Sequence, residues 1–156
     1  MKATFALSAL FAGALAADFR LVISKAASKV SELQGESLIF QSNTLFVDTT
    51  GNNGVIFNGA DGTLNIQNGD PVYADKNGQL KIREYQKDVP SDGLTQGFTT
   101  GTDNTLKWAQ GNIYTCTAKK SFSYGNDVDA AGIFVDRPGV KLPNDCILIT
   151  LSKKAA

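Results

Sequence analysis

The sequence predicts an all-β fold, a single-domain antiparallel β-sandwich or barrel with short hairpins and one disulfide, and three observations carry that prediction. Apolar residues recur two apart, as in Phe19, Leu21 and Ile23, Leu64 with Ile66, Leu80 with Ile82, and Leu106 with Trp108, which is the period of a strand with one buried face. Dense turn chemistry separates these runs: Gly51-Asn52-Asn53-Gly54, Asn58-Gly59, Asp61-Gly62, Asn68-Gly69-Asp70-Pro71, Asn77-Gly78 and Asp92-Gly93. Asn and Gly tolerate the positive φ that tight hairpins demand. Third, one unit recurs. Asp61-Gly62 and Asn77-Gly78 are each followed by a polar residue, Leu, a polar residue and Ile, and Asn104-Thr105-Leu106-Lys107-Trp108 is a third version. In a sandwich or barrel these units point Leu64, Ile66, Leu80, Ile82, Leu106 and Trp108 inward. A β-trefoil is the second-ranked alternative, because the leucines of the three units are spaced unevenly, by 16 and then 26 residues.

Taken in order, the chain opens with Lys2 and an uncharged, largely apolar run from Ala3 to Ala17 ending in small residues. This is the pattern of a secretory leader, with cleavage expected after Ala16 or Ala17, and its apolar part is shorter than the roughly 20 residues that span a bilayer. The expected organisation is therefore a leader over 1–17 and one all-β domain over 18–156. Phe19 to Ile23 opens the domain as a strand. Ser24 to Leu33 carries helix-friendly Ala, Lys and Glu and predicts a short helix, with a loop returning through Val30 and Leu33 to the next strand as the alternative. Leu38-Ile39-Phe40 and Leu45-Phe46-Val47 read as a hairpin turning at Ser42-Asn43. At the other end Cys146 to Leu151 predicts a buried strand and Ser152 to Ala156 a solvated tail; the long hydrophobic tail of a lipid-anchor signal is missing there, so no membrane anchor is expected.

Charge and composition narrow the partners. The chain carries 15 Lys plus Arg against 15 Asp plus Glu, and loss of Lys2 with the leader leaves a net charge near minus one. A near-neutral chain without a basic stripe has little to offer nucleic acid or anionic lipid. Two cysteines are present, Cys116 and Cys146; in an exported chain an even count predicts the bridge Cys116–Cys146, against the alternative of two buried thiols.

Histidine is absent, which removes Ser-His-Asp and Cys-His catalysis and the commonest zinc ligand. Aspartates are plentiful but mostly sit beside Gly or Asn, where they serve turns, so a two-carboxylate glycosidase ranks last. Asn126-Asp127-Val128-Asp129 lacks the Gly and distal Glu of a calcium loop, and Gly93-x-x-x-Gly97 lacks the Lys and helix of a phosphate cradle. The expectation is a non-enzymatic protein with no cofactor and no metal. Aromatic side chains that stack on sugar rings are the remaining chemistry. Trp108, in phase with Leu106, is expected in the core, and Tyr114 and Phe122 against the disulfide. Tyr73, Tyr85 and Tyr124 remain as candidate glycan-contact rings. No Asn-x-Ser/Thr acceptor exists, so N-glycosylation is not expected.

The stretch "GFTTGTDNTLKWAQGNIYTCTAKKSFSYG…NDCILITL" resembles the C-terminal part of small fungal cell wall proteins of the phiA type and, more distantly, the C-terminal domain of PIR-type wall mannoproteins. The matching positions are Phe98, Leu106, Tyr114, Cys116, Phe122, Tyr124 and Cys146. Upstream, "DFRLVIS", "ESLIFQSNTLFVD" and "DPVYADKNGQLKI" follow the same order of strands and loops. The PIR repeat that attaches those proteins to β-1,3-glucan is missing, with Asp61-Gly62-Thr63 and Asn77-Gly78-Gln79 only echoing it. The resemblance implies a secreted, extracellular structural protein associated with wall glucan or mannoprotein. The alternative is a secreted carbohydrate-binding, lectin-like module or effector, which requires the three tyrosines to be exposed and grouped.

Overall fold

A computed structural model of the protein describes residues 17–51, 54–122 and 125–156; all but the last residue of the expected leader lies outside them. The described chain is 51% strand and 4% helix. Twelve strands follow in order: β1 (Phe19–Ala26), β2 (Leu38–Gln41), β3 (Thr44–Val47), β4 (Phe57–Gly59), β5 (Gly62–Ile66), β6 (Val72–Ala74), β7 (Leu80–Ile82), β8 (Gln96–Thr100), β9 (Leu106–Trp108), β10 (Ile113–Lys120), β11 (Val128–Val135) and β12 (Ile147–Ala155). They form one antiparallel sheet, ordered β6-β7-β3-β11-β10-β12-β1-β4-β5-β8-β9, with β2 paired to β3 off this path. The sheet is not closed. Single bridges nevertheless draw its ends inward: Asn65 with Pro71 connects β5 to the start of β6, and Thr105 with Ser152 connects the start of β9 to β12.

The local chemistry of the turns explains the short strands. Between β2 and β3 the two linking residues, Ser42 and Asn43, have φ of 49° and 61° and join Gln41 to its partner Thr44, as a two-residue turn with both central residues left-handed does. Asp75 organises the β6–β7 turn, its Oδ1 accepting the backbone N–H groups of Asn77 and Gln79 at 2.9 and 3.0 Å. Gly78 at φ 81° completes it, where a Cβ would stand 2.5 Å from the carbonyl oxygen of Val135, so only glycine lets this turn lie on β11.

All of the residues expected to point inward are buried, Leu64, Ile66, Leu80, Ile82, Leu106 and Trp108 together with Phe19, Leu21 and Ile23. They belong to a single core cluster drawn from both ends and the middle of the sheet, which requires the sheet to fold over itself. Phe57 stacks on Phe19, and Phe98 lies 4.8 Å, centroid to centroid, from Trp108. The three turn-leucine units become β5, β7 and β9, and these are not equivalent: β5 lies between β4 and β8, β7 between β6 and β3, and β9 beside β8. The arrangement lacks the threefold repetition of a β-trefoil.

Two expectations are corrected. The helix over Ser24 to Leu33 is only a short 3₁₀ segment at Ser28–Leu33; Ser24 to Ala26 continue β1, because β12 supplies partners as far as Ala26, opposite Ile149. Nor is Ser152 to Ala156 a solvated tail. β12 runs to Ala155, pairing Lys154 with Arg20 and Ala155 with Phe19, while the Lys153 ammonium sits 4.2 Å from the centre of the Phe19 ring. An ammonium over an aromatic face is attracted by the negative face of the ring.

Candidate functional site

The region built around the disulfide begins with the β10–β12 ladder. Ile113, Tyr114 and Thr115 pair with Ile149, Leu148 and Ile147. Carried one step further, that register sets Cys116 opposite Cys146, and the two form the disulfide with Cα atoms 4.2 Å apart, the close approach of a non-hydrogen-bonded antiparallel pair. At the next step the strands part, and a side chain takes over: the Thr117 N–H donates to the Asp145 carboxylate at 3.1 Å. Hydrogen bonding by the Thr117 side chain holds the Asp145 carboxyl below its ordinary value; burial opposes it, and the Thr117 backbone N–H adds a smaller lowering.

From β11 to β12 the chain returns through residues 136–146, and its first two residues are anchored. The Asp136 carboxylate accepts the N–H of Asn112 at 2.8 Å and the hydroxyl of Tyr114 at 3.1 Å, and its backbone carbonyl accepts the Trp108 indole N–H at 2.7 Å. Arg137 donates through Nη1 to the carbonyl oxygens of Ala74, Asp75 and Asp92, at 3.3, 2.7 and 2.7 Å. This ties the return loop to the end of β6. Leu142, further along, lies against Gly78, where a Cβ would come within 2.9 Å of its Cδ2.

These ties leave an open groove of about 520 Å³ between the β6–β7 turn and the return loop. Asn77 and Gln79 line it from the turn, Thr117 to Lys119 from β10, Phe134 from β11, and Lys141 to Asn144 from the loop. Gln79 and Phe134 are joined by a single backbone bridge, which fixes the turn against the sheet.

Of the three tyrosines expected as glycan-contact rings, two are among the described residues, and these two differ in exposure. Tyr73 is buried, 6% exposed, which corrects its place among the glycan-contact rings. The chain after β7 folds back over it: Ala74 and Leu94 exchange backbone hydrogen bonds at 2.9 Å, and a Cβ on Gly93 would be 2.9 Å from the ring. Burial, reinforced by nearby Asp75, Glu84 and Asp92, raises the Tyr73 phenol above its ordinary value of 10.0. Tyr85 is 82% exposed, beside the Glu84–Lys87 ion pair. Tyr124 lies outside the described residues. Tyr114 is engaged by Asp136, as above, and Phe122 is exposed, with the Lys120 ammonium 5.8 Å from its ring centre. Among the described residues no three Cys, Asp or Glu side chains converge as a metal site would require. A comparison with protein-family models, curated proteins and solved structures found no match to this chain.

The groove was not legible in the sequence, because its residues come from four separated segments. Of its three amides, Asn77 reads in the sequence as turn chemistry, and Gln79 and Asn144 carry no signal of their own.

Proposed function

We propose that this protein is a secreted, non-enzymatic structural component of a fungal cell wall, associated with its glucan and mannoprotein matrix. The observation that best supports this reading is the covalent closure of the return loop onto the sheet by Cys116–Cys146. Disulfides persist in oxidising, extracytoplasmic surroundings, and the bridge agrees with the leader-like run after Lys2. A small β body with one shared core, blunted by frequent turns, suits a role of persistence because it offers short strand edges to a crowded matrix. The chain has no histidine, and its aspartates at 70, 75 and 103 are occupied in turns and ion pairs.

Stepwise extraction of intact cells tests the reading. Hot detergent removes loosely held protein, mild alkali releases alkali-labile linkages and glucanase releases what the polymer retains. The expected result is that the protein survives the detergent wash and leaves with one of the later steps. Release of nearly all of it into the medium or the first wash contradicts wall residence and favours the lectin-like or effector reading.

A further inference from the structure

We propose that the groove between the β6–β7 turn and the return loop binds a strand of neutral, polyhydroxylated polysaccharide of the glucan class. The proposal rests on the wall reading and gives it a contact surface. The rim carries side-chain amides, Asn77 and Gln79 on one wall and Asn144 on the other, and among the described residues none of the three makes a hydrogen bond within the protein. Each amide offers both donors and an acceptor, the pairing that a sugar hydroxyl, itself donor and acceptor, satisfies. The backbone N–H groups of Asn77 and Gln79 are already held by Asp75. The turn is therefore fixed while its side chains stay open to a ligand.

Below the rim the groove is mixed, with a small apolar patch set among polar side chains. Leu142 and Pro143 supply that patch over the edge of Phe134, itself only 5% exposed, and sugar C–H groups can lie on it. The volume falls within the range of about 300–1,000 Å³ common for small-ligand sites, and the open form suits a passing polymer. Charge argues against a polyanion: the Lys119 ammonium is engaged by Asp129 at 2.5 Å, leaving Lys141 as the groove's one unpaired cation among the described residues. A phosphate-bearing strand takes several such contacts to hold. Both walls are pre-set, one by the Asp75 turn and the other by Arg137 and the disulfide, so little ordering opposes binding.

The test is co-sedimentation of the purified protein with insoluble β-1,3-glucan particles, repeated as a titration with a soluble glucan oligosaccharide. An N77A/Q79A/N144A variant removes the rim, Tyr85→Ala serves as the surface-ring control, and thermal melting followed at the sole tryptophan verifies folding. The groove predicts at least a tenfold loss of affinity in the triple variant with an unchanged melting temperature, and wild-type binding by Tyr85→Ala. Should the triple variant not fold, Asn144→Ala alone, on the exposed loop, is expected to weaken binding about threefold. Full glucan binding by a folded rim variant overturns the groove and leaves wall residence standing. Absence of wild-type binding to glucan, or displacement of glucan by a polyphosphate, overturns the assigned ligand class, while wall residence is decided separately by cell extraction.

Discussion

Removing the disulfide with C116A/C146A tests how much of the architecture depends on the stapled return loop. The bridge closes a loop with a sequence separation of 30, and constraining a loop of that size in the unfolded chain stabilises the folded one by about 3.5 kcal/mol in the chain-entropy treatment. Unfolding entropy of roughly 2.1 cal/mol/K per residue over about 140 residues gives ~0.3 kcal/mol/K, so the midpoint should fall by about 12 °C. Alanine is the appropriate replacement because Cys116 is only 2% exposed, and a serine there would bury a hydroxyl. The assay is thermal unfolding followed by Trp108 fluorescence and far-UV circular dichroism, with the wild type under reducing conditions as a second route to the same state. Because the β10–β12 register already brings the two positions together, the double variant is expected to keep its fold at room temperature. A midpoint within about 3 °C of wild type would refute the entropic reasoning, as would loss of all structure at 25 °C.

Three further outcomes follow from named contacts. Asp136→Ala strands the Tyr114 hydroxyl and the Asn112 N–H, and should cost about 1–3 kcal/mol in urea unfolding; an effect below 0.5 kcal/mol, on the order of a neutral surface change, would show that water replaces the carboxylate. The carboxyls of Asp70, held by Arg83, Asp103, held by Thr105, and Asp145, held by Thr117, all lie below their ordinary 3.8. Their stabilisation is complete above that value and disappears as pH falls through the lowered ones, so stability should decline below about pH 4, and less steeply in Asp145→Asn; parallel acid curves for the two proteins contradict this. Tyr73 is raised, so its contribution is present below pH 10 and is lost as pH climbs through the higher value. Phenolate absorbance should therefore show a late phase above 10.0 that Tyr73→Phe removes, and its persistence in that variant would assign the phase elsewhere.

The parts of the fold that were legible are those where a local pattern and its tertiary environment agree. Leu64, Ile66, Leu80 and Ile82 alternate with polar residues because one side of each strand meets the core, and Ser42-Asn43 turns because both residues accept positive φ. Legibility failed where a distant partner decides. Ser152 to Ala155 reads as polar tail until β1 is laid beside it, and β11 ends in Gly132-Ile133-Phe134-Val135, buried on both faces, so no alternation announces it. Tyr73 likewise looks like a surface ring in sequence and is covered only by the fold-back at Gly93 and Leu94. Of the candidate site, the cysteine pair was visible from its count alone. The groove was hidden because Asn77, Thr117, Phe134 and Asn144 become neighbours only through the sheet order and the return loop.

The most direct test of the account is the partition of the untagged protein between detergent-washed walls and culture medium, counted by mass spectrometry in growing cells. Residence predicts that most of the protein is in the washed wall and that glucan-degrading enzyme mobilises it. A protein recovered almost wholly in the medium would contradict the structural role.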